Sequence, residues 1–115
     1  MDPVTTAIVA ARVASADDRE ILNKASKEAS AAAYGDLKTL LVERFSGSSQ
    51  LIAAVQQLEA MDTRIHRQKL HQEVKIARAD QDFRLVQAAD SLLETIRQQP
   101  QGGSLVMTAR TWRDL

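Results

Sequence analysis

The stretch from Ser15 to Phe45 leaves this chain few folds to choose from. Leu22, Ala25, Ala29, Ala32 or Ala33, Leu37, Leu40, Leu41 and Phe45 recur at three- and four-residue steps, the spacing of one helix face. Ser15 and Asp18 stand at the separation of a helix start, with Asp17 and Glu20 adding negative charge to the first turn. Ser46-Gly47 closes the stretch with the glycine that ends many helices. About 30 residues rising 1.5 Å each make a rod of roughly 45 Å. In a chain of 115 residues such a rod needs partner helices along most of its length, so the fold class is all-α.

The other segments supply partners. Asp2-Pro3 pairs a capping side chain with proline at the first helical position. Behind it Val4, Ala7, Ile8 and Ala11 form a stripe that Val9 and Val13 widen, while Thr5, Thr6 and Arg12 face elsewhere. At Ala14-Ser15-Ala16 the first helix either turns or runs on into the long one. Ser46 to Ser49 is the clearest loop. Leu51, Ile52, Val55, Leu58 and Met61 mark the next helix, and Asp62 or Thr63 starts the one after. From Arg64 to Arg97 the pattern stays helical, with Ile65, Leu70, Val74 and Ala77 in its first half and Phe83, Val86, Ala89 or Asp90, Leu93 and Ile96 in its second. Asp80 caps a fresh helix there, or a single helix continues through. Gly35 marks a kink or a close helix approach, and the Tyr34 hydroxyl reaches water. The expected architecture is a four- to five-helix bundle with long antiparallel helices over residues 1–99. A linker and short C-terminal tail follow over residues 100–115, set off by Pro100, Gly102 and Gly103. With 44% hydrophobic but only 3% aromatic residues, much of the apolar content is alanine, which buries little area. The bundle is therefore slender, and completed by self-association or a partner.

Chemistry is hard to find. There is no cysteine, which removes disulfides, thiolate catalysis and cysteine-held metals. His66 and His71 are five residues apart and diverge on a helix, whereas a helical zinc pair needs four. No nucleophile elbow and no glycine-rich phosphate loop occurs. Asp17-Asp18 and Asp80/Asp82 sit at helix starts and turns, without the burial that shifts a carboxylate into acid–base work. We expect no enzyme, no catalytic or metal-binding residues and no cofactor. The 15 Lys and Arg balance 15 Asp and Glu, which argues against a dedicated nucleic-acid binder. One cationic stretch, Arg64, His66, Arg67, Lys69, His71, Lys75 and Arg78, reads as a solvated face or as a dock for an acidic partner. No segment approaches the roughly 20 apolar residues that span a bilayer, and no secretory signal opens the chain, so a cytoplasmic location is expected. Beyond the linker, Leu105, Val106, Met107, Arg110, Trp112 and Arg113 are the candidate partner-binding residues.

The opening Met1-Asp2-Pro3-Val4-Thr5-Thr6-Ala7-Ile8-Val9-Ala10-Ala11, and Ala33-Tyr34-Gly35-Asp36-Leu37-Lys38-Thr39-Leu40-Leu41 leading to Arg44-Phe45-Ser46-Gly47, resemble small bacterial helical modules associated with NLR-like conflict and amyloid-signalling systems, of the bell-domain type. The resemblance covers residues 1–60. It implies a helical effector or adaptor acting by homotypic assembly, sometimes at a membrane. The first helix lacks those relatives' glycine zipper, and the tail lacks their amyloid motif. The expected function is a non-enzymatic protein–protein interaction or assembly module in bacterial signalling or defence, with a protein partner or a homo-oligomer. The alternatives are a membrane-perturbing cell-death effector using the N-terminal helix, which liposome leakage lost on Ile8→Asp would favour, and a structural helical subunit of a larger complex.

Overall fold

Proline at the first helical position and an aspartate before it begin the first element, and the aspartate does more than cap. The computed structural model describes residues 2–15, 24–98 and 107. Asp2 Oδ1 accepts from the Thr5 amide at 2.6 Å, opening α1 (Pro3–Ser15). Then follow α2 (Lys24–Arg44), α3 (Ser49–Ala60), α4 (Arg64–Ala77), a short 3₁₀ turn (Ala79–Gln81) and α5 (Phe83–Arg97). Among the described residues there are five α-helices and no strand.

α1 is the helix around which the others pack. It touches α2, α3, α4 and α5. Val4, Ala7, Ile8, Val9, Ala10, Ala11 and Ala14 are all buried, and so are Thr5 and Thr6, which the stripe pattern had placed on another face. The Thr6 hydroxyl satisfies itself locally by donating to the Asp2 carbonyl at 2.9 Å. A helix buried all round reads as apolar all round, and α1 carries only one charged residue within it, Arg12. Its four alanines let neighbouring helices approach closely.

Of the long rod expected over residues 15–45, the described part is α2. Ser15 closes α1, so it does not cap the next helix; Asp17, Asp18, Glu20 and Leu22 lie outside the described residues. α2 has 21 residues, about 32 Å at the helical rise. The whole measures 37 × 27 × 22 Å, which is not the slender form expected. Among the described side chains of that stripe, Leu37 and Leu41 are fully buried, with Ala33, Tyr34, Leu40 and, just after α2, Phe45 packed at the margin; Ala29 and Ala32 face out. Gly35 marks no close approach, because a Cβ there would meet nothing within 4 Å.

The helix ends are set by local chemistry. The Thr63 hydroxyl accepts from the His66 amide at 3.1 Å and starts α4. The uncertain stretch near Asp80 resolves as a break: Arg78 adopts a left-handed conformation at φ 58°, and Asp82, not Asp80, caps α5 by accepting from the Leu85 amide at 3.1 Å. Ala89, Leu93 and Ile96 of the expected face are buried, and Val86 packs at its margin. Leu85, Ala89, Leu92, Leu93 and Ile96 form the α5 core face, while Phe83, expected inside, stands 77% exposed.

Asp82 also ties α2 to α5. Partial burial would raise its carboxyl, but the Arg44 hydrogen bond at 2.5 Å, the Leu85 and Arg84 amides and the Arg44 charge more than offset this and hold it below the ordinary carboxylate value. A lowered folded value contributes stability above the pH where an unfolded aspartate titrates, about 4, and loses it as pH falls through the folded value. Asp82→Asn keeps a capping oxygen but no charge. Urea titrations from pH 7 to pH 2 should find the variant weaker at neutrality and equal to the parent at the acid end; a constant difference would refute this assignment.

Candidate interaction surface

Four members of the cationic stretch, Arg67, Lys69, His71 and Lys75, meet carboxylates of the chain itself. Arg67 holds Asp62 through two hydrogen bonds of 2.6 and 2.7 Å. Lys69 reaches Glu73 one turn on at 3.0 Å, and Lys75 reaches Asp80 at 2.8 Å. The His66 ring meets the Met61 carbonyl at 2.6 Å. His71 turns inward, its Nδ1 2.7 Å from Asp2 Oδ2. That last contact joins residues 69 positions apart and pins the start of α1 to α4. The spare oxygen of the α1 cap is thus a tertiary anchor, with its side chain only 1% exposed.

Among its exposed polar residues α4 also presents two isoleucines outward. Ile65 is 76% exposed and Ile76 73% exposed, although the sequence pattern had assigned Ile65 to the core. The two lie three turns apart on one face. Gln68 and Gln72, both exposed and uncharged, stand between them. The result is a narrow face of two isoleucines and two glutamines, bordered by Lys69, which is paired with Glu73. Met61 before α4 and Phe83 at the start of α5 are further large exposed apolar residues. Periodicity missed this seam because it counts apolar residues without knowing which stripe the neighbours cover.

A second cluster joins α2 to α3. The Tyr34 hydroxyl does not end in water alone: it donates to Glu59 Oε2 at 2.8 Å, and Lys38, one turn further along α2, contacts both Glu59 oxygens at 2.8 and 2.9 Å. Burial, then the bond to Glu59 and its charge, push the Tyr34 phenol far up, so it remains a donor. This is a fastening between helices.

Of the tail residues singled out as partner-binding, Met107 is described and is exposed; Leu105, Val106, Arg110, Trp112 and Arg113 lie outside the described residues. Among the described residues no group of three or more His, Asp or Glu is placed to hold a metal, and no helix is long and apolar enough to cross a membrane.

The described residues are helical, with a buried N-terminal helix. A family model described as the Het-E N-terminal domain matches residues 1–112. The chain belongs to the Het-E N-terminal domain family. No curated protein and no solved structure matches it. The family is NLR-associated and related to incompatibility signalling, which agrees in outline with the resemblance drawn from residues 1–60 and extends it across almost the whole chain. The matched range ends at residue 112.

Proposed function

We propose that this Het-E N-terminal domain is a non-enzymatic assembly module, an adaptor or effector that works in NLR-like signalling or defence by binding a helix of another protein or of its own copy. The observation that carries this reading is the seam of Ile65, Gln68, Gln72 and Ile76. Isoleucines exposed in register on one helix face cost solubility and contribute nothing to the core. A partner helix would cover them in the knobs-into-holes manner. Trp112 and the residues around it remain the proposed second contact.

The test is the solution mass. The chain weighs 12.7 kDa, and light scattering should give a mass above that, rising with concentration. The double variant Ile65→Ser/Ile76→Ser should stay monomeric and keep its melting temperature to within a few degrees, since exposed substitutions typically change stability by about 0.5 kcal/mol or less. An unchanged assembly in the variant would remove the seam from the mechanism. A monomeric parent would remove self-association and leave only a foreign partner.

A further inference from the structure

Two faces of this chain carry large apolar side chains that its own core does not use. On α4, Ile65 and Ile76 stand in solvent, 11 positions apart and so roughly 16 Å apart along the helix. On α5 an open groove of about 460 Å³ is lined by Phe83, Val86, Gln87, Asp90, Ser91 and Glu94. Phe83 and Glu94, its outermost residues, are also 11 positions apart, so the groove is as long as the α4 face. α4 packs on α1 and α3, and α5 packs on α1 and α2, so the two faces belong to different helix pairs of the molecule.

Charge decides how two copies would meet. From Asp62 to Asp80, five Arg and Lys stand against three carboxylates, and one of those, Glu73, is buried. Lys69, at the border of the α4 face, meets Glu73 at 3.0 Å, yet its side chain is 49% exposed and an ammonium has three donors. Joining α4 to α4 would set these cationic borders against each other, which opposes association. The charged residues that line the α5 groove are carboxylates, Asp90 and Glu94, both exposed. A two-fold pair joins a patch to itself, whereas a patch that meets a different patch makes a joint that repeats from copy to copy.

We infer that the chain assembles head to tail: the isoleucine face of α4 in one copy lies in the α5 groove of the next, with Ile65 and Ile76 against Phe83 and Val86 and the cationic border beside Asp90 and Glu94. This rests on the assembly reading above and names the second surface. Each joint is small beside the roughly 20–30 residues a side of a standard interface, so a single joint is weak and the assembly grows gradually with concentration.

Light scattering on the full chain and two blocked variants tests this. Ile65→Ser/Ile76→Ser closes the α4 face, and Phe83→Ser/Asp90→Lys closes the groove. All four residues are exposed, so both variants should keep the parent's circular dichroism and melt. The parent should pass the mass of a dimer, twice 12.7 kDa, as concentration rises. Each variant alone should stay at 12.7 kDa. Mixed one to one they should form a dimer and stop there, since one intact α4 face and one intact groove remain. Should the groove variant melt low, Asp90→Lys alone carries the test, and should raise the concentration needed for association by about tenfold or more. If the groove variants associate as the parent does while Ile65→Ser/Ile76→Ser is monomeric, α4 pairs with itself: the head-to-tail joint is overturned and the assembly module stands. A mixture of the two monomeric variants that stays monomeric overturns the joint in the same way. A parent that is monomeric at every concentration overturns both the joint and self-association.

Discussion

Asp2→Ala should lower the melting temperature by about 10 °C, a loss out of proportion to a side chain at the edge of a helix. Two effects add. Losing the cap on the Thr5 amide costs about 1 kcal/mol. Losing the carboxylate oxygen that meets His71 costs about 1.5–3 kcal/mol, because a buried hydrogen bond to a charged group is involved. For a chain of this size each kcal/mol moves the midpoint by a few degrees. Asp2→Asn, which can still cap, should cost less. A double-mutant cycle with His71→Ala gives the decisive number: a coupling of about 1–2 kcal/mol, well beyond the scatter expected of independent sites. Additive losses in that cycle would mean that the 2.7 Å contact contributes nothing.

Val9→Asp should abolish folding, while the same change at Ile65 should be nearly silent. Val9 is fully buried in α1, at the centre of contacts with all four other long helices, and a carboxylate there has no partner. Buried unpaired charges belong to the small class of substitutions costing about 4–5 kcal/mol or more, most of the stability of a typical domain. Far-UV circular dichroism at 25 °C should show Val9→Asp largely unfolded and Ile65→Asp helical with an unchanged melt. A cooperative, near-native melt for Val9→Asp would show that α1 is not the core. The same burial changes how the membrane-perturbing alternative is tested. Leakage lost on Ile8→Asp reports folding as well as membrane contact, since Ile8 is only 2% exposed. Asp2→Ala is more informative. It loosens α1 without charging it, so a membrane role for α1 predicts more leakage from a less stable protein.

Both predictions turn on features the sequence shows unequally. Asp2-Pro3 announces a helix start in any reading of the chain, because capping is a contact among neighbours three residues apart. His71 gives no such sign. It resembles the other cations of α4, and only the packing of α1 against α4 brings it to the spare oxygen of Asp2. The break after Ala77 was legible as a polar gap, but which aspartate caps α5 was not, since Asp80 and Asp82 offer the same chemistry two residues apart. Phe83, next to that cap in the first turn, stands in solvent. Gly35 was legible as an oddity and misread as a site of close packing; the space around it is open.

The all-helical class was written in local terms: periodic apolar residues, caps, alanine in quantity, and glycine and proline kept to the joints. Those are interactions within a few residues, and any window of the chain carries them. Which helix became the centre was a collective outcome. α1 is short and small-sided, and only its alanines and uncharged faces allow four other helices to close on it at once. Once they did, the room left on α4 had no core to face, and Ile65 and Ile76 stayed in solvent.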